Sequence, residues 1–492
     1  MIGANRLSPK TYAINRNLTF ARDARLEPFG AIEEQHRRLV VRLVFLIYAL
    51  LLFEGILRKW IMPQWSKPLF FIRDPFVLLI YILVLSRRTR LRAGFLEIGC
   101  LFSLAALILT VAHHMSGDFD FSTAVLAASG WRNYFFYIPL AFIIGRYFDL
   151  RDLNRLLLAT SLISVAVAML VIVQFASSPV APINAGSGDT ADEIYRNPGL
   201  PGGGVRPFGT FTSNLGLSVF TVSAVAIAIS MWLAPHGSMS KRFYLVLACA
   251  ILGPSVCLCL SGSRGAFVWT GLVVLIALAG LSCASPGMGL KAGAFTSALI
   301  FLTLVAGPVV FPQATESLSR RWSDAGDYET NKYGSGGVFA RALYEVFNFR
   351  FLFELTPPEG YGLGTAGNAA WRLGTRAQTI IFANEKQVGA AESDWGRNIL
   401  ELGPIFGCLF ILFRIAFGIW LAKIALAATA RSGHPLPWLL FAFVSHLILN
   451  GQITANGTVN GYGWLFAGLC LAASNGVCPL GRHRRFSIAL RG

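Results

Sequence analysis

The chain has 492 residues, 54% of them hydrophobic and only 14% charged, with a mean hydropathy of +0.58. A water-soluble domain carries about 25% charged residues, so a chain this poor in charge could not cover its surface in water, and a soluble globular enzyme is excluded. The formal charge of +17 is read as membrane orientation rather than as a nucleic-acid footprint, because Lys and Arg cluster in short connections between apolar runs and face an anionic inner leaflet.

Residues 1–38 are polar and mixed in charge and read as a cytoplasmic segment with no cleavable signal peptide. About 20 apolar residues cross a bilayer. By that measure about twelve spans follow, at 39–57, 69–85, 94–112, 124–145, 155–176, 210–234, 243–260, 265–282, 290–311, 404–422, 435–450 and 461–474. The expected fold is therefore all-α, a polytopic transmembrane helical bundle. Nine spans lie within 39–311, one large loop occupies 312–403, three spans lie within 404–476, and a basic tail covers 477–492. The eight cysteines fall in or beside apolar runs, without the spacing of a disulfide framework or a metal site.

Loop charge sets the direction. Arg87, Arg88, Arg90 and Arg92, then Arg146, Arg151 and Arg155, then Lys241 and Arg242, then Lys291, then Lys423 and Arg431, then the tail arginines all fall on one side of a twelve-span chain. That side is the cytoplasm, so both termini are expected inside. Asp118, Asp120, Asp189, Asp192 and Glu193 fall opposite. One connection disagrees, placing Arg58, Lys59 and Lys67 outside. The loop at 312–403 is expected outside, with an amphipathic helix over 338–353, a glycine turn at Gly360-Tyr361-Gly362-Leu363-Gly364-Thr365 and a helix over 392–402.

Ionisable residues inside a bilayer mark functional sites by default. Here Glu54, Arg73, Asp74, Arg132, Arg206 and Arg264 gather toward the outer leaflet, beneath Arg341, Arg350, Arg372, Arg376 and Arg397 of the loop, while Arg414 sits near mid-span. Glu54, Arg73 and Asp74 are equally suited to pairing with one another. Arg206 and Arg264 stand beside glycine and hydroxyl residues that let a ligand approach the backbone. A guanidinium fork binds phosphate oxygens bidentately and stays charged when partly desolvated, which suits a diphosphate carried on a lipid.

Three stretches in this order resemble the O-antigen ligase and O-antigen polymerase superfamily of bacterial envelope glycosyltransferases. They are Arg206-Pro207-Phe208-Gly209-Thr210-Phe211, then Ser261-Gly262-Ser263-Arg264-Gly265-Ala266, then the loop series Arg341, the glycine turn and Glu401-Leu402-Gly403-Pro404-Ile405-Phe406-Gly407. The resemblance covers roughly residues 200–430. It implies an inner-membrane enzyme that transfers a saccharide from undecaprenyl diphosphate to an acceptor hydroxyl on a glycan or lipid at the periplasmic face, with no metal and no cofactor. The absence of a Gly-x-x-x-x-Gly-Lys loop accords with that. Ligases of the family carry a loop histidine shortly before the Glu-Leu-Gly element; here no histidine lies within 312–403, and Glu392 stands near its place. This departure favours a polymerase-like branch, in O-antigen or exopolysaccharide assembly.

On this reading Arg206, Arg264 and Arg341, with Arg132, hold the diphosphate. Glu392 or Asp394 takes the proton of the acceptor hydroxyl, and Trp371 and Trp395 stack on sugar faces. Membrane lipids and other polysaccharide-assembly proteins are further candidate partners, and nucleic acid is not. Two other classes remain open: a transporter or flippase for a polysaccharide lipid, and a non-catalytic subunit of an envelope assembly complex.

Overall fold

A computed structural model describes residues 31–87, 93–115, 121–186, 205–233, 241–333, 349–367 and 393–477. Among the described residues there are helices and connections and no strand. The helices are α1 (Ala31–Ile56), α2 (Ser66–Leu69), α3 (Asp74–Ser86), α4 (Gly94–Met115), α5 (Phe121–Trp131), α6 (Ile138–Tyr147), α7 (Leu150–Ala176), α8 (Asn214–Leu233), α9 (Lys241–Leu260), α10 (Arg264–Ala284), α11 (Pro286–Val310), α12 (Pro312–Tyr333), α13 (Phe349–Leu355), α14 (Asp394–Leu402), α15 (Pro404–Ser432), α16 (Leu436–Asn450) and α17 (Gly457–Val477).

Nine helices among the described residues are long and apolar enough to cross a membrane, and the chain is a multi-pass helical membrane protein. Three of the expected spans, 124–145, 435–450 and 461–474, are not among the nine. Each has a local reason. The first is interrupted: α5 and α6 are separated by a π-helical turn, Arg132–Phe136, and Pro139 opens α6. A π-turn leaves an extra residue in the helical ladder and commonly marks a site. Helix α16 has only 15 residues, and α17 is diluted by polar and glycine residues. Both are buried along almost their whole length. A helix sheathed by other helices needs no lipid-compatible surface, and some of its polar groups find partners inside. Asn460 donates to the Ile453 carbonyl (2.8 Å) and Asn475 to the Gly145 carbonyl (3.0 Å).

Helix α8 stands at the centre, with every residue from Gly216 to Ser230 buried. The periphery is α11 and α15, whose Leu290, Phe301, Leu304, Val309, Ile405, Leu409, Leu412 and Ile419 are exposed. Apolar side chains in that position face lipid. Lipid tails are as apolar as leucine, so close packing rather than hydrophobic burial joins such helices. At the α7–α9 crossing Gly253 supplies the closeness: a Cβ there would lie 2.2 Å from Ser164 Oγ.

The large loop begins with an unexpected element. Helix α12 is polar along its 22 residues and directly follows α11. Within the expected amphipathic helix over 338–353, residues 338–348 lie outside the described residues and α13 supplies the rest. Helix α14 is present, capped by Ser393, whose Oγ accepts from Gly396 N (3.0 Å).

Candidate functional site

The turn at 205–213 is clamped from two sides. Gln174, at the end of α7, accepts from Gly209 N (2.8 Å) and donates to its carbonyl (3.3 Å). Lys59, one turn beyond α1, donates its Nζ to the same carbonyl (2.9 Å) and lies 4.3 Å from the centres of both the Trp60 and Phe208 rings. Gly209 needs a positive φ (+58°) to make this turn. Asn214 at the start of α8 holds the Pro207 carbonyl (2.7 Å). The clamp fixes where Arg206 stands. Burial, and after it the Arg321 charge, push the Arg206 guanidinium down to about 10, and its Nε is buried without a hydrogen-bond partner.

Arg264 is the first residue of α10. Ser263 caps that helix, accepting from Ala266 N (3.3 Å), and its hydroxyl meets Ser218 Oγ of α8 (3.4 Å). Arg264 lies 5.7 Å from the centre of the Trp322 ring. Arg321, next to that tryptophan on α12, donates to the Gly262 carbonyl. Burial and then the Arg264 charge lower the Arg321 guanidinium below its ordinary value. Arg206, Arg321 and Arg264 therefore form one electrostatic cluster at the N-terminus of α10. Among the described residues no carboxylate pairs with Arg206 or Arg321. Like charges gathered in a partly desolvated place raise one another's energy, and an anion bound there would lower it. The backbone N–H groups at a helix start add to the attraction.

Arg132 stands in a different group. Its guanidinium forks onto Asp74, with Nε–Oδ2 2.6 Å and Nη2–Oδ1 3.0 Å, and Tyr137 donates to the same carboxylate (2.6 Å). Arg73, 1% exposed, pairs with Glu54 (3.0 Å) and reaches the Gly457 carbonyl at the start of α17 (3.0 Å). Glu54 also holds Arg58 (3.0 Å). These pairs tie α1, α3, the π-turn and α17 together.

Asp394, a candidate proton acceptor, is fully buried and fully engaged. Its Oδ2 meets Arg414 Nη1 at 2.6 Å, and its Oδ1 accepts from the Thr454 hydroxyl at 2.6 Å. Arg414 continues to the carbonyls of Ile448 (2.8 Å), Leu447 (3.3 Å) and Gly451 (3.3 Å), closing the C-terminus of α16. Trp395 donates its indole N–H to the Leu449 carbonyl. Both residues therefore build the junction of α14, α15 and α16. Glu392, Arg341 and Trp371 lie outside the described residues.

The glycine turn packs into the bundle rather than hanging free. Gly360, Gly362 and Gly364 have φ of +76°, +94° and +80°. Tyr361 N and Gly362 N donate to the carbonyls of Leu400 and Glu401, while Glu401 accepts from Gly364 N (2.9 Å) and Ala366 N (3.0 Å). Arg397 Nε holds the Ala366 carbonyl (3.2 Å). Burial drives the Glu401 carboxyl up to about 7, against the Gly364 N–H, the Arg397 charge and the Ala366 N–H. On its other side the turn rests on α5: a Cβ on Gly364 would lie 2.4 Å from the Leu126 carbonyl oxygen.

Of the sequence-derived candidates, the structure brings Arg206 and Arg264 into one cluster, and places Arg132, Asp394 and Trp395 in ion pairs and helix junctions. Sequence reasoning missed Arg321, Gln174 and the clamping role of Lys59. The signal for Arg321 was present in α12, where Glu316 and Arg320 pair across one turn (2.5 Å) as an exposed helix does. No protein-family model matches the chain, and no curated protein and no solved structure matches it.

Proposed function

We propose that this chain is a metal-independent glycosyltransferase of the bacterial inner membrane. It takes a saccharide linked to a polyprenyl diphosphate and joins it to an acceptor hydroxyl at the periplasmic face, as a polymerase rather than a ligase, in O-antigen or exopolysaccharide assembly. The observation that carries the reading is the cluster of Arg206, Arg264 and Arg321 at the start of α10. Diphosphate is both the anchor of the donor and the leaving group, so guanidiniums that bind it also stabilise the charge that grows on it. The end of the bundle that holds the cluster is the periplasmic end on this reading. It has twelve crossings, counting the broken α5–α6 and the buried α16 and α17, and both termini in the cytoplasm. Arg341, Glu392 and Trp371 belong to the proposal as loop residues that would complete the site.

The test is purified protein in liposomes with a polyprenyl-diphosphate-linked saccharide. New glycosidic bonds are expected in the wild type. Arg264→Gln and Arg321→Gln should each weaken undecaprenyl diphosphate binding by roughly 10- to 150-fold, the worth of one charge-assisted hydrogen bond of about 1.5–3 kcal/mol. Labelled lipid crossing the bilayer with no new glycosidic bond would replace this reading with a transporter. Unchanged diphosphate affinity in both variants would refute the arginine assignment.

A further inference from the structure

The transfer reaction needs a group to take the proton of the acceptor hydroxyl, and Asp394 is held by Arg414 and Thr454. Among the described residues another titratable side chain fits the need. His446 lies on α16, one turn before the helix ends at Asn450, and is 8% exposed. Neither ring nitrogen makes a well-formed hydrogen bond, though one faces the Phe443 backbone one turn back. A buried polar group in that state is costly unless something satisfies it. Asn450, one turn on, has its side-chain oxygen in the same condition.

These two residues lie beside the arginine cluster. Helices α10 and α16 run antiparallel, and two contacts give their register. Trp438 Nε1 donates to the Ile276 carbonyl (2.9 Å), and the His446 ring sits 5.4 Å from the Trp269 ring, centre to centre. Moving one turn toward the end of α16 from His446 corresponds to moving one turn toward the start of α10 from Trp269. By that register Asn450 falls near the level of Gly265, the residue after Arg264. His446 lies about 7–8 Å along the axis from Arg264, at the 1.5 Å helical rise per residue, a separation that a sugar residue spans. The far side of the α16 end is taken by Arg414, Asp394 and Trp395, and the His446 ring packs against Trp269 of α10.

We propose that His446 is the general base of the transfer, and that Asn450 accepts a hydrogen bond from the acceptor sugar beside it; this rests on the glycosyltransferase reading. A lone pair of an imidazole nitrogen takes the hydroxyl proton as the hydroxyl oxygen bonds to the anomeric carbon. The bond from that carbon to the phosphate oxygen breaks, and its electron pair leaves on the diphosphate, held by Arg206, Arg264 and Arg321. The imidazolium then gives its proton to water. A neutral imidazole is both donor and acceptor, so the acceptor hydroxyl can satisfy one of its nitrogens.

The experiment uses the full chain in liposomes and two readouts: transfer from the polyprenyl-diphosphate-linked saccharide, and retention of radiolabelled undecaprenyl diphosphate. His446→Gln should keep diphosphate retention within about twofold and lower kcat roughly 100-fold or more, the usual contribution of a general base. Asn450→Ala should raise the acceptor KM with retention unchanged. His446→Gln transferring at the wild-type rate would overturn the assignment of His446 while leaving the glycosyltransferase reading standing. A wild type that retains diphosphate and forms no bond would overturn both. Should His446→Gln fail to insert, Asn450→Ala decides, and an unchanged acceptor KM overturns the proposal.

Discussion

Replacing Asp394 by Ala removes the partner of a guanidinium that is 2% exposed. Breaking a buried pair by deleting one member costs about 3–5 kcal/mol, because the other charge is left in a low-dielectric place. Here Arg414 keeps three backbone carbonyls, those of Ile448, Leu447 and Gly451, so the loss belongs near the lower end, about 3 kcal/mol. Arg414→Met leaves Asp394 with only the more distant Arg397 (3.8 Å) as a counter-charge. The carboxylate keeps the Thr454 hydroxyl and a place in the first turn of α14, where a negative charge is favoured, and again about 3 kcal/mol is expected. The double variant carries neither charge, so it should lose less than either single variant. The coupling energy in a double-mutant cycle is then at least about 3 kcal/mol. Equilibrium unfolding in mixed detergent micelles measures it. Losses that add to within about 0.5 kcal/mol would show that the pair is not the junction described, and would return Asp394 to consideration as a free proton acceptor.

Two further predictions concern the glycine turn. The Glu401 carboxyl is raised from 4.5 to about 7, chiefly by burial, so its protonated form is the one the fold favours. Its contribution, roughly 3 kcal/mol at most, is fully present below 4.5 and is lost as pH rises through about 7. The melting temperature in detergent should fall across that window in the wild type and stay flatter in Glu401→Gln; identical slopes would refute the burial argument. Gly364→Ala meets both a positive φ and the Leu126 carbonyl oxygen at 2.4 Å, so the turn should undock and gain a protease cut within 360–367. Unchanged resistance would count against the docking described.

What the sequence made legible depended on the length and apolarity of each run. The long apolar runs announce α7, α8, α9, α10, α11 and α15, although α8 is buried at the centre. Helices α16 and α17 read weakly because the first has only 15 residues and the second is interspersed with glycine and polar residues. In the connection at 57–69, which runs against the loop-charge pattern, Arg58 and Lys59 have specific partners. Arg58 is held by Glu54, and Lys59 is buried against Gly209, so neither is free to act as a topology signal. Arg206 and Arg264 stood out because a cation beside glycine and serine in an apolar context has no simple packing role. Arg321 did not, because a polar helix with no lipid-facing stripe resembles ordinary loop sequence. The pairing of Arg132 with Asp74 and of Arg414 with Asp394 needs contacts over 58 and 20 residues, which no local pattern encodes.

The seating of the glycine turn bears on how the protein is made. Its Gly364 lies against Leu126 and Gly130, emerged early from the ribosome, and against Glu401, emerged much later. Arg73 likewise waits for the Gly457 carbonyl. Contacts between the early helices and these late segments are therefore made only after the last third of the chain has begun to be translated. A truncation at residue 403 would leave the early helices inserted yet without α15, α16 and α17, and quality-control proteases would meet it in that state.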